Sequence, residues 1–133
     1  MGPGMERLRR DHTPEDLLPH LDAVGVEGTV AVQARQMERE TEYLLSLAAR
    51  HSWILGVVGW VDFASDRLSE RLDAFADNTK LRGVRELIHD MANVEYAVSR
   101  EHVEAVGLLS RYGLTYDLLL RTRHLGPATR LVD

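Results

Sequence analysis

The sequence predicts an α/β protein built on a parallel sheet, and three observations carry that prediction. Short, apolar, β-branched runs begin near residues 29, 54, 81 and 115; segments of helical periodicity lie between them; and no turn signal joins one run directly to the next. Runs spaced in this way hold a helix between successive strands, which is the pattern of four to five βα units with helical crossovers.

The elements follow in order. Thr13-Pro14-Glu15-Asp16 sets a cap residue, a proline at the first helical position and two acids in the first turn, where the helix dipole favours negative charge. Leu17, Leu18, Leu21 and Val24 then form one apolar stripe that stops at Gly25. Thr29 to Gln33 reads as a strand covered on both faces. A longer helix follows, with Met37, Leu44, Leu45 and Ala48 on its apolar side and Glu38, Arg39, Glu42 and Arg50 opposite. Ile54 to Trp60 is the second strand, and Leu68, Leu72, Phe75 and Ala76 stripe a helix that Asp66 is placed to cap. Leu81 to Ile88 is the third. Glu101 to Tyr112 is helical, capped by Ser99, with Val103, Val106 and Leu109 inward and Gly113 as its stop. Thr115 to Leu120 is the fourth strand, and a last helix starts near Pro127.

Composition narrows the function. With 133 residues, 44% of them hydrophobic, the chain is expected to form a single domain over residues 1–133 with its own core. A net charge of -5 without a basic stripe argues against nucleic acid as a partner. The absence of cysteine removes disulfides, thiolate metal sites and thiol nucleophiles together, which suits a cytoplasmic location. The start Met1-Gly2-Pro3-Gly4-Met5-Glu6-Arg7 has no apolar core of a signal peptide, and no apolar run reaches the roughly 18 residues of a membrane helix, so no membrane role is expected.

Chemistry in parallel α/β proteins gathers just beyond the carboxyl ends of the strands. Four polar clusters stand there: Gln33 with Arg35 and Gln36; Trp60 with Asp62; Arg85 with His89 and Asp90; and Arg121 with Arg123 and His124. If the third strand stays extended, Arg85 and His89 share a face and Glu86 points away, a geometry that suits an anionic or carbonyl-rich ligand; on spacing alone a structural ion pair for Arg85 is an equal alternative. Arg121, Arg123 and His124 supply two fixed cations and one residue able to ligate a metal or move a proton, against an equal alternative of a solvated loop. Trp60 is expected in the core or a pocket wall, and Asp62 as a loop cap. His12, His20, His51 and His102 fall on helices or their flanks and read as surface residues. No H-x-H, H-E-x-x-H, G-x-S-x-G, P-loop or G-x-G-x-x-G occurs.

The ordered set GMERLRRDHTPEDL, GVEGTVAVQAR, ILGVVGWVDF, KLRGVRELIHD and YGLTYDLLLRTRHL resembles the amidohydrolase family that includes L-fuconolactonase-like and 2-pyrone-4,6-dicarboxylate lactonase-like enzymes. The resemblance spans nearly the whole chain. It implies a partial (β/α)8 barrel, since a full one takes about 250 residues. It also implies hydrolysis of a sugar lactone or similar cyclic ester by an activated water, often with zinc or a similar divalent metal polarising the carbonyl. The family's metal-binding H-x-H ends a strand upstream of this segment, and further His and Asp ligands come from strands beyond Asp133. The segment would then supply strands two to five and the substrate-binding residues Gln33, Arg85, His89, Arg123 and His124, with no metal held by this chain alone. Family members commonly show His, then Gln-Asp-Glu, where this chain has Glu86 and His89-Asp90-Met91, and Pro where Thr122 stands, which weakens the correspondence at Glu86, His89 and Met91.

Three readings compete: a lactone hydrolase completed by other segments, a non-catalytic partial barrel, and a small doubly wound α/β binding domain. Sheet topology separates the third from the others, because a doubly wound sheet reverses strand order at a switch point. Self-association is a further expectation. A four-stranded part of a barrel leaves two sheet edges, at TVAVQ and TYDLLL, with little charge to guard them.

Overall fold

The computed structural model describes residue 6 and residues 9–132. The remainder of the N-terminal Met1–Arg7 stretch, Leu8 and Asp133 lie outside the described residues, as does part of the first resembling segment.

Four strands, β1 (Thr29–Val32), β2 (Ile54–Gly59), β3 (Leu81–Glu86) and β4 (Thr115–Leu118), form one sheet in the order β1-β2-β3-β4, and every pairing is parallel. Sequential neighbours are adjacent and no switch point occurs among the described residues, which is the order of a barrel arc rather than of a doubly wound sheet. The strands end earlier than the apolar runs suggest. β3 stops at Glu86 because Ile88–Asp90 turns into a 3-10 helix, and this breaks the alternation on which the placement of His89 rested.

Helix α1 (Pro14–Val24) begins as its residues dictate: Asp16 accepts the Thr13 backbone N–H at 2.9 Å, and Gly25 ends the helix at φ 69°, a left-handed value that a side chain resists. Its apolar stripe, expected to be covered, buries no residue; Leu17, Leu18 and Val24 are exposed. Helix α2 (Glu38–Arg50) buries Thr41, Leu45 and Ala48, and α3 (Leu68–Phe75) buries Leu68, Leu72 and Phe75. Asp66 does not cap α3; the Ser65 hydroxyl accepts the Arg67 N–H instead, at 3.1 Å. Helix α4 (Arg100–Leu108) is capped by Ser99, whose hydroxyl accepts the His102 N–H, and runs into a 3-10 turn ended by Gly113. Its inward face is not the one that valine spacing suggests, since His102, Ala105 and Leu109 are buried while Val103 is exposed. Helix α5 (Leu125–Val132) starts two residues before Pro127 and folds over the 3-10 turn Val94–Val98, to which an Arg130–Glu95 ion pair ties it.

The core lies between one face of the sheet and α2, α3 and α4, where Val57, Leu81 and Val84 meet Leu45, Leu72, Phe75 and Leu109. Gly59 marks the closest approach: a Cβ there would sit 2.5 Å from Thr41 Cγ2. The Thr41 hydroxyl both accepts the Trp60 N–H and donates to the Trp60 carbonyl, each at 2.8 Å. This fixes the carboxyl end of β2 to α2.

Candidate active site

Alternation along β2 and β3 assigns each side chain a face. Gly59 faces α2, so Val58 and its register partner Gly83 face away from the helices, and Arg85, two residues further on, shares their face. Val84 packs in the helix-covered core, so Glu86 projects to the helix side. The expected opposition of Arg85 and Glu86 is therefore present.

Gln33 and Arg85 are brought into direct contact. Arg85 Nη2 donates to Gln33 Oε1 at 2.9 Å and also to the Gln33 carbonyl, while Gln33 Nε2 donates to the Arg85 carbonyl at 3.3 Å. Gln33 is fully buried. A guanidinium held by neutral acceptors keeps its whole charge for a ligand, unlike one paired with a carboxylate.

His89, Arg123 and His124 form a second group. Arg123 Nη2 donates to the carbonyls of His89 and Met91, at 3.3 and 3.4 Å, and Arg121 Nε donates to the His89 carbonyl at 3.1 Å. This ties the loop after β4 to the turn after β3. His124 is buried, and its Nδ1 accepts the Arg121 backbone N–H at 3.1 Å. The Arg123 Nε–H points at the other ring nitrogen, Nε2, at 3.3 Å, so the Arg121 backbone and the Arg123 side chain together hold the buried ring. His89 Nε2 lies 3.2 Å from Asp90 Oδ2, and its Nδ1 is buried without a partner among the described residues.

Several residues here escaped the sequence. Glu86 is only 3% exposed and accepts from Gln36 Nε2 at 2.6 Å, Trp60 Nε1 at 3.2 Å and the Leu87 N–H at 2.8 Å, so one carboxylate holds together the loops after β1, β2 and β3. Three neutral donors stand in for a cation. Trp60 is thereby a wall residue with its indole N–H anchored. Asp62 does serve its loop, accepting the Ala64 N–H at 3.0 Å. His102, read as a surface residue, is 2% exposed; its Nε2 meets the Tyr116 hydroxyl at 2.8 Å, and Phe63 and Tyr96 flank its ring. Burial pushes the His102 imidazole down to about 4. Burial likewise pushes the Tyr116 hydroxyl up, with the Glu86 charge adding to it. An acid ending a strand and a histidine in phase with Ala105 and Leu109 were the available signals.

A further cavity lies elsewhere. A groove of about 610 Å³ runs between α1 and β1, lined by Leu17, Val30, Leu47, Trp53 and polar residues of the segment leading into α1. It is at the amino end of the sheet, away from both groups.

Known proteins resemble this chain throughout. The family model described as amidohydrolase matches residues 2–133. The L-fucono-1,5-lactonase of Burkholderia ambifaria is 34% identical over 91% of the chain, and that of Burkholderia multivorans 37% identical over 94%. The chain spans 42% of the length of each of these relatives. Two crystal structures of an amidohydrolase from Burkholderia multivorans, one with bound HEPES and one with bound zinc, superpose with a TM-score of 0.90 at 35% identity. They align with 98% and 97% of this chain, which spans 45% of theirs.

The described residues do not by themselves fit a zinc ion. They contain no group of three or more His, Cys, Asp or Glu able to hold a metal, whereas a catalytic zinc takes about three protein ligands. His124, moreover, spends one ring nitrogen on a backbone N–H and turns the other toward Arg123. No helix is long and apolar enough to cross a membrane among the described residues. Sequence match, strand order and superposition agree: the chain belongs to the amidohydrolase family and forms four consecutive βα units of its barrel.

Proposed function

We propose that this chain forms part of the substrate pocket of a sugar-lactone hydrolase acting on L-fucono-1,5-lactone or a close analogue. In that reaction water attacks the lactone carbonyl, and the tetrahedral intermediate releases the ring oxygen to give a hydroxy acid. The observation that carries the reading is that the Arg85 and Arg123 guanidiniums at the strand ends are held by neutral acceptors, the Gln33 amide and the carbonyls of His89 and Met91, so both keep their charge for a ligand. A lactone carbonyl or product carboxylate oxygen accepts from such cations. Arg85, locked by Gln33, provides a second fixed cation on the open face of the sheet, and His89 borders the turn that holds Arg123. Within residues 1–133, taken as one domain, these five side chains bind and orient the substrate. The remaining ligands and the activated water belong to other segments or other chains, so the chain alone is expected to show no turnover. A cytoplasmic homo-oligomer suits this reading, as cysteine is absent and β1 and β4 are the outermost strands among the described residues.

Calorimetric titration with L-fuconate tests it. A weak, saturable heat is expected, reduced several-fold by Arg85→Met and by Arg123→Met separately. Equal heats from wild type and both variants would refute the pocket. Acid release from L-fucono-1,5-lactone above the spontaneous rate, by the chain alone, would refute the division of the site.

A further inference from the structure

We infer that Asp117 is the residue that reads the hydroxyls of the sugar: its carboxylate accepts from two neighbouring ring hydroxyls while Arg85 holds the carbonyl or carboxylate end. The inference rests on the lactone reading of the site and adds to it a specificity-determining residue that lies within a strand, outside the polar clusters beyond the strand ends.

Register places the two charges at one level. In the β3–β4 ladder Gly83 pairs with Thr115, Arg85 with Asp117 and Glu86 with Leu118, so Arg85 and Asp117 each stand one residue short of the carboxyl end of their strand. They also share a face. A Cβ on Gly83 would meet Thr115 Oγ1 at 2.3 Å, which puts the Thr115 hydroxyl with Gly83 on the side of the sheet away from the helices, and Asp117 follows it two residues on. Two contacts agree with that alternation: Thr115 Oγ1 lies 3.5 Å from Asp117 Oδ1, whereas Tyr116, between them, reaches His102 of α4 on the other side.

Opposite charges so placed would ordinarily pair, yet the Arg85 guanidinium leans the other way. It crosses the end of β2 to Gln33, where it donates to Oε1 at 2.9 Å and to the carbonyl. The cation therefore sits on the β1 side of β3 and the carboxylate on the β4 side. Asp117 has no cation within ion-pair distance among the described residues. The Thr115 hydroxyl beside it has a single proton, for which the Arg82 carbonyl, at 3.3 Å, also competes. A carboxylate offers about four acceptor positions, so most of those on Asp117 remain for a ligand that donates.

Other carboxylates near the strand ends are already engaged. Glu86 takes three donors on the helix side, Asp62 takes the Ala64 N–H, and Asp90 faces His89 and Arg121. A polyhydroxy acid or its lactone suits the remaining pair better than a plain acid does. Asp117 repels a second negative group, which directs the carbonyl or carboxylate end to Arg85, and two hydroxyls on neighbouring carbons match the two oxygens of one carboxylate. An acid without hydroxyls leaves that carboxylate covered and unpaired, and such a penalty discriminates strongly between ligands.

Calorimetric titration with L-fuconate and with hexanoate, which has the same number of carbons and the carboxylate but no hydroxyls, tests the inference through the ratio of the two affinities. Asp117→Leu is expected to weaken L-fuconate roughly tenfold and to strengthen hexanoate, because a hydrogen-bonding acceptor and a repelling charge are removed together. An unchanged ratio overturns the inference, including the case in which both affinities fall equally, as they would if Asp117 only supported its strand. Asp117→Asn keeps the side chain's shape and guards against misfolding of the leucine variant; a ratio between those of wild type and Asp117→Leu is expected, and a wild-type ratio in a natively folded Asp117→Asn chain overturns the inference as well. Arg85→Met separates this result from the pocket itself. If it weakens both ligands while the Asp117 variants keep the wild-type ratio, the pocket stands and the role of Asp117 falls; if it changes neither, the lactone reading falls and takes the inference with it.

Discussion

His102 makes stability depend on pH in a window that can be calculated. The ring is buried against Phe63, Tyr96 and Tyr116, and its imidazole titrates at about 4 instead of the 6.5 of an ordinary histidine. The unfolded chain therefore binds a proton that the folded chain refuses, and stability falls as pH drops through 6.5 and continues to fall until about 4. At pH 5 the difference corresponds to at most about 2 kcal/mol, and to about 1 kcal/mol if solvent near the ring screens half of it. His102→Phe removes the titration but strands the Tyr116 hydroxyl, at a cost of about 1–3 kcal/mol at neutral pH. The double variant His102→Phe/Tyr116→Phe removes both effects. Urea unfolding followed by tryptophan fluorescence between pH 7.5 and 4.5 should show wild type losing about 1–2 kcal/mol more than the double variant. Parallel profiles would refute the assignment of a neutral, buried imidazole.

Other expectations follow from the same contacts. Glu86→Ala leaves the Gln36 amide, the Trp60 indole and the Leu87 N–H without their acceptor; a loss of about 2–4 kcal/mol and a shift of Trp60 emission in a Trp53→Phe background are expected, with Glu86→Gln milder in both. Gly59→Ala should destabilise by about 1–3 kcal/mol by driving a methyl into Thr41, and Thr41→Ser should recover part of that by removing the Cγ2 methyl, as read from thermal unfolding. Gln33→Ala should lower sugar-acid affinity through loss of the Arg85 clamp, and Gln33→Glu should lower it further, because a new carboxylate would neutralise Arg85.

What the sequence made legible was backbone. β-Branched runs placed all four strands, and Pro14 with Gly25 and Ser99 with Gly113 placed two helices, because capping and left-handed turns are local demands met by few residue types. Phase was harder. In α4 the valines suggested one face, but the core accepted His102 because Tyr116, fourteen residues on, offers it a hydrogen bond that no local pattern reveals. The α1 stripe failed differently: its leucines are real, yet none of the helix's residues is buried among the described residues. The candidate site was legible as residues at strand ends, and Gln33 with Arg85, and Arg123 with His124, do meet. The carboxylate that organises their loops was not, since Glu86 gains its three donors from Gln36, Trp60 and Leu87 only once the sheet is assembled.

Amide and side-chain NMR spectra of the labelled chain titrated with L-fuconate bear most directly on the claim that the strand ends form the sugar-acid pocket. Resonances of Gln33, Arg85, His89, Arg123 and His124 should shift together with one saturation curve. Shifts confined to Leu17, Val30 and Trp53, in the groove beside α1, would contradict it.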